Sequence, residues 1–242
     1  MKDHGFEYLA FGPEDEVPQK IVLLLHGYGR NAHYMVKMAD EIRGHVPDAL
    51  VLCPHGPEDL NTKNISVAGD HMLHIPEEIQ DAKEENDSEM RRQWFPIEGG
   101  LFDLIPRLQG ISIRLNSFLD RQRDMLGLAD KDIAIMGFSQ GAGTALYTAY
   151  AREKEIAALV CHSAIVIKDA EQSDFKSTPR TLFLYGDKDP EFAQDIYQRS
   201  YDWVSGYTKG GSRCEVISGL GHTTNAETRK LSAAFIAGVF RS

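Results

Sequence analysis

Three cysteines in 242 residues, no apolar run near the length of a membrane span, and a shortage of positive charge each remove a class of function. Cys53, Cys161 and Cys214 are an odd set, and each lies in or beside an apolar run that reads as a strand, so buried reduced thiols are expected rather than a disulfide framework. Cys161 adjoins His162, but successive strand residues point to opposite faces, which argues against a thiol–imidazole pair. With 26 Lys and Arg against 36 Asp and Glu, the formal charge is −10. That balance disfavours a phosphate-backbone ligand and electrostatic docking to an anionic bilayer. No segment reaches the roughly 20 apolar residues of a transmembrane helix. The opening residues MKDHGFEYLAFG also lack the apolar core of a secretory signal. The expectation is a soluble, cytoplasmic chain with no nucleic-acid partner and no stable membrane anchor; a homodimer is left open. The loop His26–Asn31 has too few glycines and no Lys-Ser/Thr ending, so it is not a phosphate-binding loop. Asp70, His71 and His74 form a weak metal-ligand spacing with no fourth ligand, and neither a metal nor a cofactor is expected.

What is present is core-forming sequence. A 42% hydrophobic content over this length fits a single domain, residues 1–242. Short runs rich in Val, Ile and Leu at 21–25, 50–53, 133–136, 159–161 and 182–185 suggest strands buried on both faces. Further strands are predicted at 7–11 and 214–218. Helix-like stretches at 32–43, 105–126, 141–153, 191–204 and 223–239 alternate with them. That alternation predicts an α/β fold, with a mostly parallel central sheet and helices on both faces. Residues 57–93 interrupt the pattern with a charged insertion, read as a solvated segment or as a lid.

The most informative stretch is IAIMGFSQGAG, residues 133–143. Ser139 stands between Gly137 and Gly141 where an apolar strand gives way to a helix, the sequence form of a nucleophile elbow. So sharp a turn leaves no room for side chains two positions either side of the serine. The following helix would aim its first N–H groups at an oxyanion, with Gln140 supplying one. A serine hydroxyl needs an imidazole to take its proton and a carboxylate to orient that imidazole, and on such an elbow both follow it in the chain. Asp187 and Asp189 both follow the strand LFLYG, and either could serve. His222 follows Gly219-Leu220-Gly221, whose glycines free the loop to reach inward; His162 precedes both aspartates and breaks the order. Tyr28, in the loop after the strand IVLLL, is the candidate for the second oxyanion N–H, with His26 and Gly27 shaping the turn.

Taken together, LLLHGYGRN, CPHGP, QWFPI, GFSQGAG, YGDKDP and GLGH resemble the phospholipase/carboxylesterase family of α/β hydrolases, which includes bacterial carboxylesterases and acyl-protein thioesterases. The resemblance implies catalytic Ser139, Asp189 and His222, an oxyanion hole at Tyr28 and Gln140, and substrate binding near Trp94 and Phe95, whose alternative role is core packing. The expected reaction is hydrolysis of small-molecule esters or thioesters with small to medium acyl chains. Dienelactone-hydrolase-like or peptidase activity, or non-catalytic binding of an acyl ligand, are the competing readings. Two departures from the family pattern are the length of the insertion and Glu191-Phe192-Ala193 in place of a small apolar run. The segment 101–105 reads as the first turn of a buried helix rather than an apolar flap.

Overall fold

The computed structural model describes residues 2–3, 5–60, 90–99, 101–167 and 175–242. Most of the charged insertion, including Asp70, His71 and His74, lies outside the described residues.

Eight strands form the main sheet: β1 Lys2–Asp3, β2 Phe6–Phe11, β3 Lys20–Leu25, β4 Ala49–Pro54, β7 Ile133–Phe138, β8 Ala158–His162, β9 Arg180–Gly186 and β10 Ser212–Ile217, in spatial order β1-β2-β4-β3-β7-β8-β9-β10. From β4 to β10 every pairing is parallel, while β2 runs antiparallel to β4 and β1 antiparallel to β2. A two-stranded ribbon pairs β5 Glu58–Asp59 with β6 Arg92–Gln93 across the insertion. Among the described residues the α-helices are α1 Val36–His45, α2 Leu101–Leu126, α3 Gln140–Tyr150, α4 Gln194–Thr208 and α5 Ala226–Phe240.

Strand alternation sorts the core into two layers. Ile21, Leu23 and Leu25 of β3 pack with Leu115 and Phe118 of α2, Ala145 and Leu146 of α3, and Tyr197 and Val204 of α4. Val22 and Leu24 face the other way, onto Met38 and Ile42 of α1 and Ala233 and Ile236 of α5. The strands are apolar on both faces because helices cover both. Among the described residues no helix is long and apolar enough to cross a membrane.

The element boundaries depart from expectation at two helices. α2 starts at Leu101 rather than Ile105, with Pro106 inside its second turn. Proline there forfeits one helical hydrogen bond without ending the helix, and Arg107 donates to the Pro96 and Glu98 carbonyls at 2.6 Å each, tethering the entry segment. The predicted helix 32–43 divides into a 3-10 turn, Ala32–Met35, capped by Asn31 Oδ1, followed by α1.

The chain leaves β3 toward β4 on one side and returns through α2 to place β7 on the other. The order therefore reverses between β3 and β7, and loops leaving the carboxyl ends of these neighbours face one another across a crevice.

Candidate active site

β7 ends at Phe138, and α3 begins at Gln140, leaving Ser139 alone to make the turn, with φ 54° and ψ −122°. A non-glycine residue so placed costs on the order of 1–3 kcal/mol. The surroundings hold it: Ser139 N–H donates to His162 O at 2.9 Å, and its carbonyl accepts from Ala142 and Gly143 N–H. A Cβ at Gly137 would overlap the Gly141 carbonyl, and one at Gly141 would overlap the Leu25 and His26 carbonyls. Both elbow glycines are thus required by close backbone approach.

Three side chains join in series above the sheet. Ser139 Oγ lies 2.8 Å from His222 Nε2, and His222 Nδ1 lies 2.8 Å from Asp189 Oδ2. Asp189 Oδ1 accepts from Glu191 N–H at 2.9 Å, and Oδ2 also accepts from the Tyr197 hydroxyl at 2.7 Å. Burial drives the Asp189 carboxyl pKa upward, but His222, Tyr197 and the Glu191 N–H together outweigh it and hold the value below the ordinary carboxylate range. Asp187 does a different job: its Oδ1 accepts from Gly219 N–H at 2.6 Å, bracing the loop that carries His222.

The oxyanion-loop candidate is built around His26. Its Nε2 accepts from Gly56 N–H at 2.8 Å while Nδ1 faces Gly27 O at 2.8 Å, and Trp94 Nε1 donates to the His26 carbonyl at 2.7 Å. Loss of hydration lowers the His26 pKa to about 3, so the ring is neutral and ties two loops together. Gly27 brings this loop against the elbow, where an added Cβ would meet Phe138 at 2.9 Å and Ser139 Cβ at 3.3 Å. Neither Tyr28 N–H nor Gln140 N–H has an acceptor among the described residues.

The Gln140 side chain has a role the sequence did not suggest. Its Oε1 accepts from Trp94 N–H at 3.0 Å, and its Nε2 donates to Phe95 O at 2.8 Å, clamping this segment to the elbow by its main chain. The Trp94 and Phe95 rings are 1% and 5% exposed and belong to the core, with Trp94 lying against His26 and Phe6. Phe138, at the end of β7, lies 5.0 Å from the His222 ring between centroids, and Phe192, from the divergent Glu191-Phe192-Ala193, also reaches the triple, edge-on to His222 and to Tyr197, each at 6.0 Å. Tyr197 and Phe192 went unrecognised because no spacing rule links them to Asp189. Phe192 stood out only as a departure from the pattern.

Cys161 and His162 are fully buried on β8, and burial raises the thiol pKa and lowers that of the imidazole to about 3. Neither is poised for chemistry. Among the described residues no cluster of His, Cys, Asp or Glu could hold a metal ion.

Residues 8–237 match the family described as phospholipase/carboxylesterase, nearly the whole chain. The chain belongs to that family. Solved structures share its fold at low identity. Esterase PE8 is 20% identical, with a TM-score of 0.78 and coverage of 97% of this chain and 99% of its own. The Bacillus cereus carboxylesterase is 17% identical, with a TM-score of 0.68 over 97% of this chain and 94% of its own. Arabidopsis thaliana SOBER1 is 18% identical, with a TM-score of 0.69 over 91% and 99%. The mostly parallel sheet with helices on both faces is the α/β-hydrolase fold of these proteins.

Proposed function

We propose that this family member is a serine hydrolase that cleaves small-molecule carboxylic esters or thioesters of small to medium acyl chains through an acyl-enzyme. The observation that carries this reading is the unbroken hydrogen-bonded series Ser139–His222–Asp189, with its serine on a glycine-flanked elbow. Ser139 Oγ attacks the acyl carbonyl as His222 Nε2 takes its proton, and Asp189 holds the imidazole with Nδ1–H pointing at the carboxylate. Tyr28 and Gln140 N–H groups, on facing loops of the β3/β7 crevice, receive the developing oxyanion. His222 returns the proton to the leaving alcohol or thiol, and water then repeats the sequence to release the acid. Trp94 and Phe95 serve this site as scaffold through the Gln140 clamp, while Phe138 and Phe192 lie against the imidazole at 5.0 and 6.0 Å between ring centroids.

The test is hydrolysis of p-nitrophenyl acetate, butyrate, octanoate and palmitate, with a thioester analogue, by wild type and Ser139→Ala. Labelling by a fluorophosphonate probe runs in parallel. Removing a triad nucleophile costs about a million-fold in turnover, so the variant should be inert and unlabelled. Ser139→Ala activity near wild type would overturn the assignment. Labelling of the wild type without turnover of any ester or thioester would replace general ester hydrolysis with a narrower acyl specificity.

A further inference from the structure

The geometry points to Tyr197 as a positioning residue, its hydroxyl acting through Asp189 to hold the imidazole of His222 in line with Ser139. This rests on the serine-hydrolase reading. Asp189 Oδ2 carries two partners, His222 Nδ1 at 2.8 Å and the Tyr197 hydroxyl at 2.7 Å, while the hydroxyl stands 3.4 Å from Nδ1 itself. An ionised carboxylate only accepts, so the phenol must donate to it. With the Glu191 N–H on Oδ1, the carboxylate is held by three donors and cannot rotate away from the imidazole without leaving one unpaired.

The phenol is itself fixed. Tyr197 occupies the first turn of α4 and is fully buried, with its ring stacked on Tyr185 at 4.8 Å and 21°. Phe192 lies edge-on at 6.0 Å and also touches His222, so the loop 189–193 and the start of α4 enclose the acid from one side. Burial and the neighbouring Asp189 carboxylate push the phenol pKa upward, keeping the proton on oxygen. Tyr185 belongs to the same stack, but its hydroxyl bonds Gln198 at 3.4 Å and does not reach the acid.

The experiment compares wild type, Tyr197→Phe and Tyr185→Phe by ester kinetics across pH, by the rate of fluorophosphonate labelling and by the low-field proton NMR signal of the His222–Asp189 hydrogen bond. Removing a neutral donor from a charged acceptor is worth about 10- to 100-fold, so Tyr197→Phe should lose about that factor in kcat and in labelling rate. KM should stay within about twofold. With one donor gone the carboxylate charge is less shared and attracts the imidazolium more strongly, so the acid limb of kcat/KM should move to higher pH and the low-field signal should shift. Tyr185→Phe, which loses a phenol oxygen from the same stack, should match wild type in all three. A Tyr197→Phe enzyme with wild-type kcat, pH profile and low-field signal would overturn the inference, as would equal losses in both variants, which would mark a packing effect. A wild type that neither turns over esters nor accepts the fluorophosphonate would instead overturn the hydrolase reading. The low-field signal still tests the Tyr197–Asp189 bond in that case, and a signal unchanged in Tyr197→Phe counts against it.

Discussion

Lowering the pH from 7.5 to 5 should destabilise this protein through histidines that cannot ionise in place. His26 and His162 are both 0% exposed, and loss of hydration holds each pKa near about 3 against 6.5 for a free imidazole. Between those values the unfolded chain binds a proton at each site that the folded chain does not, so stability falls as pH drops through 6.5 and goes on falling toward 3. Each site contributes about 1.4 kcal/mol per pH unit, hence about 2 kcal/mol per histidine at pH 5 and about 4 kcal/mol for the pair. Against a typical total of about 5–15 kcal/mol, that is a large share.

His162 isolates the effect, since neither ring nitrogen has a hydrogen-bond partner among the described residues and its ring packs edge-on to Phe138 at 5.3 Å. His162→Phe removes two unsatisfied polar atoms, so at pH 7.5 it should lie within about 1.5 kcal/mol of wild type. Urea unfolding of both proteins at pH 7.5, 6 and 5 provides the measurement. The variant should gain about 2 kcal/mol relative to wild type between the two extremes. Parallel pH dependences for the two proteins would refute the premise that His162 stays neutral in the fold.

Three further outcomes follow from particular contacts. Gly27→Ala should push the Tyr28 loop away from the elbow, because the added methyl meets Phe138 at 2.9 Å and Ser139 Cβ at 3.3 Å; steady-state kinetics should show a lower kcat, and an unchanged kcat would count against Tyr28 as an oxyanion donor. Gln140→Ala deletes both side-chain bonds to the Trp94–Phe95 segment, and denaturant unfolding should register a loss of about 1–3 kcal/mol, with faster amide exchange at Trp94. Arg152→Met removes from Asp130 the guanidinium that contacts it through Nε at 3.0 Å and through Nη2, leaving it paired with Arg123 Nη1 at 2.9 Å, and also breaks bonds to Asn116 and Asp120; the lost charge-assisted hydrogen bonds should cost about 1.5–3 kcal/mol, and a variant as stable as wild type in thermal melts would disprove that role.

The residues that announced themselves in the sequence did so because the chain around them is constrained by composition. Strands covered on both faces must be runs of Ile, Val and Leu, so β3, β4, β7, β8 and β9 were readable to within one or two residues at each end. The elbow was readable because backbone contacts at Gly137 and Gly141 exclude any other residue type. Tyr197 and the Gln140 side chain were not, since each acts through a partner brought near by the fold: eight residues separate Tyr197 from Asp189, and 45 or 46 separate Gln140 from the segment it clamps. Trp94 and Phe95 illustrate the converse. The motif placed them beside the site, and it is their backbone that reaches it while their rings fill the core.

The same topology explains why a strained serine can persist. Leu25 and Gly137 are register partners at the ends of β3 and β7, so the loops that follow leave the sheet side by side. Gly141 then packs against the Leu25 and His26 carbonyls, Ser139 N–H is taken by His162 O from β8, and the Gln140 side chain binds the segment whose Trp94 indole binds His26 O. These contacts engage the turn from different strands and loops. Relief of the φ of 54° at Ser139 would therefore require breaking several contacts, each worth about as much as the strain itself. The positive φ is sustained by the sheet, and the hydroxyl stands 2.8 Å from His222 Nε2 before any substrate arrives. Preorganisation of this kind is what a hydrolase needs, because a donor already in place spends no reorganisation energy when charge develops.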